Sequence, residues 1–176
     1  MSGEDLKKVS RRAAELWNSD NPDRPEDLVA GSYRNHQEPD AAGHSGARNF
    51  KGWKEILVSY HEDVIRRGHE NDREAEAASG SSTLDLKGLK QLLKSYHEAF
   101  SNSKVEVLGQ IAENDMVVTR WRMAADHTGA FAGFRPTRKQ CTWTGVTTDR
   151  FDNGRIVESW VNWDKYSFLE GLGLVR

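Results

Sequence analysis

Residues 116–173 read MVVTRWRMAADHTGAFAGFRPTRKQCTWTGVTTDRFDNGRIVESWVNWDKYSFLEGLG. Three strand-like segments follow one another there, separated by compact turns. Histidine, carboxylate, amide and tryptophan side chains are distributed among them. In the first segment Thr119, Trp121 and Met123 share one face, while Val118, Arg120 and Arg122 share the other, because side chains alternate along a strand. Arginines sit badly in a core, so the Trp121 face is expected inside. If the extended run persists, His127 falls on that same face. Asp152-Asn153-Gly154-Arg155 is a tight-turn signal that closes a hairpin between TWTGVTTDRF and IVESWVNW. On the last strand Glu158, Trp160 and Asn162 share one face, and Val157, Ser159, Val161 and Trp163 share the other.

Upstream of this stretch the period is helical. Leu6, Val9, Ala13, Leu16 and Trp17 recur every three or four residues and predict an amphipathic first helix. Asn18 to Pro25 supplies turn residues, and Pro25-Glu26-Asp27 opens a short second helix with acids at its positive end. Tyr33 to Gly46 reads as a loop. Trp53, Ile56, Leu57, Tyr60 and Val64 predict a further helix, the polar tract Arg66 to Ser82 an exposed and mobile connection, and Leu89, Leu92, Leu93, Tyr96 and Phe100 another helix. From Ser103 the period becomes two, and Glu113-Asn114-Asp115 reads as a turn. Helices followed by a run of antiparallel strands imply an α+β domain, with helices covering one side of a curved sheet.

Two helices resemble each other. Lys51-Gly52-Trp53-Lys54 and Ser59-Tyr60-His61-Glu62 match Lys87-Gly88-Leu89-Lys90 and Ser95-Tyr96-His97-Glu98 at a constant offset of 36. The repeat reads either as a second binding element or as a duplicated helix that uses its apolar stripe for packing. It marks an inserted or duplicated helix-plus-linker within 47–88 of a single domain spanning 1–176.

Composition narrows the partners. The 176 residues carry a formal net charge of -2, and the basic pairs Lys7-Lys8 and Arg11-Arg12 are broken by acids, so no nucleic-acid footprint is expected. No apolar run reaches the ~20 residues of a membrane span. MSGEDLKKVS lacks the apolar stretch of a secretory signal, and a single cysteine, Cys141, mildly favours a reducing compartment. The expectation is a cytoplasmic protein without membrane or nucleic-acid partners.

The motifs Asp126-His127-Thr128-Gly129, Gly133-Phe134-Arg135-Pro136-Thr137, Thr142-Trp143-Thr144-Gly145 and Asp152-Asn153-Gly154-Arg155-Ile156-Val157-Glu158-Ser159-Trp160 stand in that order. Together they resemble the SnoaL-like polyketide cyclase family of the nuclear-transport-factor-2-like cone superfamily. Leu16-Trp17-Asn18 and Tyr33-Arg34-Asn35-His36 fit the family's opening helix and loop. The resemblance implies a curved sheet of about six strands wrapped into a cone, with a cavity between its concave face and the helices. It also implies cofactor-free ring closure by intramolecular aldol addition, with an aspartate as general acid/base and a histidine nearby. His127 matches the family's pocket histidine. The family's aspartate falls near Asn162, whose amide can hydrogen-bond an enolate but cannot transfer a proton at neutral pH. Asp164 lies two residues further on.

Proton abstraction beside a carbonyl needs a base poised near neutral pH and donors aimed at the developing oxyanion. His127 leads as that base or acid; its bland reading is a turn histidine bonded to backbone before Gly129. His36, in the loop entering the cone, is a second candidate or an ordinary exposed residue. Glu158, beside Trp160 and Asn162, is either a desolvated acid or the partner of Arg120 or Arg122 across the sheet. Trp17, Tyr33, Trp121, Met123, Phe131, Trp143 and Trp160 are the candidates for contact with a small hydrophobic ligand, or for filling the core. No spacing suggests a zinc or calcium site, so no metal is implied, the resemblance implies no cofactor, and Cys141 reads as a buried strand residue rather than a nucleophile. Two functions remain open: a cofactor-independent acid/base enzyme acting on a hydrophobic carbonyl compound, by aldol cyclisation or a related isomerisation, dehydration or hydrolysis, and a non-catalytic ligand-binding module on the same cone. The face bearing Val157 and Val161 is the expected homodimer contact.

Overall fold

A capping box opens the chain: the Ser2 side chain accepts from the Asp5 amide, and Asp5 reaches back to the Ser2 amide. These bonds satisfy donors that the first turn leaves orphaned, and helix α1 (Gly3–Glu15) follows. The computed structural model describes residues 1–37, 83–131 and 134–175. After α1 come helix α2 (Pro25–Leu28), strands β1 (Val29–Gln37) and β2 (Thr83–Leu84), and helix α3 (Leu86–Ala99). Strands β3 (Phe100–Glu113), β4 (Met116–His127), β5 (Gln140–Asp152) and β6 (Arg155–Trp163) then lead to helix α4 (Lys165–Leu172).

The strands form one six-stranded sheet in the order β2-β1-β6-β5-β4-β3. Pairing is antiparallel except between β1 and β6, which run parallel. This is the α+β architecture expected, a curved mixed sheet with helices packed over one face. The two-residue turns come from residues that tolerate positive φ. Asn114 (φ 54°) joins β3 to β4, and Asn153 (φ 48°) with Gly154 (φ 77°) joins β5 to β6, the chemistry a tight hairpin demands.

One sheet face is buried beneath α1, α3 and α4. Two core clusters lie there: an aromatic one around Phe100, Met123, Trp143 and Phe168, and an aliphatic one around Leu28, Val29, Leu89, Val117 and Ile156. Trp17, just past α1, packs against both. On β4 and β5 the alternation is regular. Thr119, Trp121 and Met123 pair with Thr147, Gly145 and Trp143 on the inner face, and Arg120 and Arg122 lie on the outer one. Strand β6 departs from simple alternation. A bulge between Arg150/Glu158 and Phe151/Ile156 places Ile156 and Ser159 both inward and buried, although they are three residues apart.

That bulge overturns several expectations. The inner face of β6 carries Ser159, Val161 and Trp163, whereas Glu158, Trp160 and Asn162 face outward, in register with Arg150, Thr148 and Val146. Val161 lines the interior, so Val157 and Val161 do not form one external homodimer surface. The exposed apolar side chains of the outer face, among the described residues, are Ile111, its ladder partner Val118, and Val146. Tyr33 to Gln37 belong to strand β1 rather than to a loop, because parallel pairing with β6 supplies backbone partners that local sequence does not advertise. Of the repeated segments, the second is α3, with Leu89, Leu93, Tyr96 and Ala99 buried. The first copy and the tract Arg66 to Ser82 lie outside the described residues.

Candidate functional site

Between the inner sheet face and the helices lies a cavity of about 270 Å³. Its walls are largely apolar. The aromatic half holds Trp121, Trp143, Trp163, Phe131 and Phe168, and Trp17 and Tyr96 close it from the helix side. Trp121 lies directly over Gly145, where an added Cβ would collide with the indole, and its Nε1 donates to Thr147 Oγ1 at 3.0 Å.

The other half has a polar wall built from four elements. Asp149 on β5 is fully buried and lines the cavity. Ser10, on the buried stripe of α1, donates to its Oδ2 at 2.7 Å. Ser159, its cross-strand partner on β6, donates to Oδ1 at 2.6 Å. Tyr33 on β1 hydrogen-bonds with Ser159, and Asn35 Nδ2 donates to the Tyr33 hydroxyl at 3.0 Å. Burial pushes the Asp149 carboxyl up to about 6, against the two serine hydrogen bonds that pull it down. Burial also drives the Tyr33 hydroxyl to about 12, so that it stays protonated and able to donate. No arginine or lysine pairs with Asp149 among the described residues, which is why its proton affinity rises rather than falls.

The sequence candidates divide between inside and outside. Trp17, Tyr33, Trp121, Met123, Phe131 and Trp143 all line the cavity. Trp160 does not: it stacks on His36 across the outer face, with ring centroids 5.1 Å apart and planes 11° from parallel. His36 Nε2 lies 3.4 Å from Glu158 Oε1, and Glu158 is gripped by Arg150 at 2.6 and 2.7 Å. Arg150, not Arg120 or Arg122, is therefore the partner of Glu158, and it holds that carboxyl below its ordinary value. Arg122 pairs instead with Glu106 at 3.2 Å. Asn162 is exposed on the outer face.

Asp164 is exposed and serves as the N-cap of α4, accepting from the Ser167 amide at 2.9 Å and hydroxyl at 2.6 Å. His127 is completely buried but is not part of the cavity wall. It stacks on Phe100 (5.0 Å), and its Nδ1 accepts from the Thr137 amide at 3.2 Å. Burial lowers its proton affinity, with the Gly129 backbone pulling the other way. Nε2 closes no hydrogen bond of good geometry among the described residues. The structure thus brings His36 and Glu158 together on the outer face and places His127, Asn162 and Asp164 apart from them, and none of the five lines the cavity.

Cys141 is buried, with its thiol pushed to about 12 by burial. Among the described residues no group of three or more His, Cys, Asp or Glu side chains could hold a metal ion, and no helix is long and apolar enough to cross a membrane. The residues missed from sequence are Asp149, Ser10, Ser159 and Asn35. A signal existed for three of them. Asp149 shares its alternation with Trp143 on β5, Ser159 shares its face with Trp163, and Ser10 sits four residues after Leu6 on an apolar stripe.

Comparison with known proteins agrees with this architecture. The sequence profile of the SnoaL-like polyketide cyclase family matches residues 52–172. No curated protein is significantly similar in sequence. Among solved structures, AclR from Streptomyces galilaeus, a candidate hydroxylase, superposes with a TM-score of 0.67 at 19% identity, covering 98% of this chain and 83% of its own. IdmH from Streptomyces antibioticus, a candidate polyketide cyclase, gives a TM-score of 0.64 at 22% identity, covering 96% and 98%. A candidate polyketide cyclase from Acidithiobacillus ferrooxidans gives 0.62 at 21%, covering each chain fully. At these identities the likeness shows the fold.

Proposed function

Because this chain belongs to the SnoaL-like polyketide cyclase family, we propose that it moves protons on a small apolar carbonyl compound bound in the cavity, with Asp149 as the acid/base. One observation carries the reading: a carboxyl with no cationic partner among the described residues, buried in a largely apolar cavity wall, has its affinity for a proton raised to about 6. A base is most effective when its pKa lies near the working pH, and positioning it contributes roughly 100- to 10,000-fold.

In this scheme ionised Asp149 takes the proton from the carbon next to the ligand carbonyl. The electron pair moves into an enolate, whose oxygen is met by the Tyr33 hydroxyl or Asn35 amide on the same wall. In an aldol closure the enolate carbon then attacks a second carbonyl of the same molecule, forming the ring bond. The protonated Asp149 returns its proton to the new alkoxide, so the cycle balances without a cofactor. The aromatic walls supply the apolar contact and exclude water.

A second reading rests on a different observation. The inward residues of β6 near the position expected for the family's aspartate are Val161 and Trp163, which transfer no proton. Both Asp149 oxygens are already bonded by serines. A binding module that keeps Asp149 as a structural knot between α1, β5 and β6 follows from those facts.

Deuterium exchange separates the two. With an aryl ketone such as tetralone, wild-type protein is expected to accelerate exchange of the α-protons, with a rate that rises through pH about 6 as Asp149 ionises. Asp149→Asn is expected to lose roughly 100- to 10,000-fold of that acceleration while still binding the ketone. Binding without acceleration in the wild type would leave the module reading standing.

A further inference from the structure

Among the described residues, two that line the cavity carry formal charge, Asp149 and Lys165. They lie towards opposite ends. Asp149 pairs across the ladder with Ser159, and four residues further along β6 Trp163 pairs with Gly145. At about 3.3 Å per strand residue the two ladder positions are roughly 13 Å apart, and Lys165 opens α4 two residues beyond Trp163. Trp143, Trp163 and Phe168 form the aromatic wall at the Lys165 end, with Trp143 and Trp163 6.4 Å apart between ring centroids. Both oxygens of the neighbouring Asp164 carboxylate accept from Ser167. Lys165 already takes part in an interaction within the chain, but an ammonium has three donors, and an arriving anion can add to or exchange with that contact.

A half-buried ammonium in an aromatic wall favours an anion more than a surface lysine does, because water screens it less. We propose that Lys165 recognises a carboxylate on the ligand, so that the cavity takes an aromatic or polyketide-like acid with its carbonyl at the Asp149 end and its acid group at the α4 end. This deepens the reading of Asp149 as the reactive end. It is nevertheless read out by binding alone, so a failure of catalysis does not touch it.

The test compares omega-benzoyloctanoic acid, an aryl ketone with a carboxylate at the far end of a flexible chain, with its methyl ester. Binding is measured by calorimetry at pH 7. Wild-type protein is expected to bind the acid at least about 10-fold tighter than the ester, the scale of one charge-assisted hydrogen bond. Lys165→Met, which keeps the apolar stem, is expected to bring that ratio close to one. Lys165→Gln is the second variant, in case the methionine perturbs α4, and is expected to do the same. Asp149→Asn should leave the preference for the acid in place. Equal binding of acid and ester by the wild type overturns the proposal, as does a preference that survives both lysine variants.

Discussion

Asp149 and Glu158 belong to adjacent strands of one sheet, a single ladder step apart: Asp149 pairs with Ser159 and Arg150 with Glu158. They experience opposite environments. Asp149 faces inward, is fully buried, and is bonded by two hydroxyls, so burial dominates and raises its pKa. Glu158 faces outward and is held by Arg150 with His36 beside it, so its charged form is favoured. The comparison teaches that residue type and neighbouring aromatics do not identify a carboxyl of raised proton affinity. What identifies it is the side of the sheet on which the strand's register places it.

The largest effect that would sharpen this contrast is catalytic. Asp149→Asn should remove most of the α-proton exchange described above, while Glu158→Gln should leave the rate within about two-fold. Equal losses in the two variants would break the contrast.

Stability against pH comes next. The folded pKa of Asp149 is raised above the unfolded value, so the native state holds its proton where the unfolded chain has released it. Its contribution to stability is therefore present below about pH 4 and is lost as pH rises to about 6. The loss is on the order of 3 kcal/mol. Chemical denaturation from pH 4 to 7 should show that decline in the wild type, and Asp149→Asn should flatten it.

Smaller again is the effect of the hydroxyls. Ser10→Ala leaves a buried carboxylate oxygen without its donor and should cost about 1–3 kcal/mol. Since that hydrogen bond pulls the Asp149 pKa down, its loss should also move the exchange profile to higher pH. An unchanged profile would show that α1 does not tune the carboxyl. Smallest is the outer pair. Glu158→Gln breaks a partly exposed bridge to Arg150 and should change unfolding free energy by less than about 1 kcal/mol, measurable as a shift in Tm of a few degrees at most.

Much of the frame was legible before the structure. Leu6, Val9 and Ala13 marked α1, Asn153-Gly154 marked the last hairpin, and the arginines at 120 and 122 showed which face of β4 lies inward. That reading placed six aromatic or apolar candidates, from Trp17 to Trp143, which do line the cavity. The polar wall was less legible. His127 has the residue type of a general base, but burial against Phe100 and a bond from Thr137 hold it behind the cavity. His36 and Glu158 reach each other only because β1 runs parallel to β6, a pairing between segments more than a hundred residues apart.

The sequence by itself determined the periodicities, the turns and the parity of each strand, because these depend on neighbours within a few residues. Only the tertiary structure decided which parity of β6 faces the cavity. That choice depends on a bulge and on pairing with two other strands, and a shift of one residue exchanges the faces. It turned Glu158, Trp160 and Asn162 outward, and it brought Asp149, Ser159 and Ser10 together from three elements into one buried, hydrogen-bonded site.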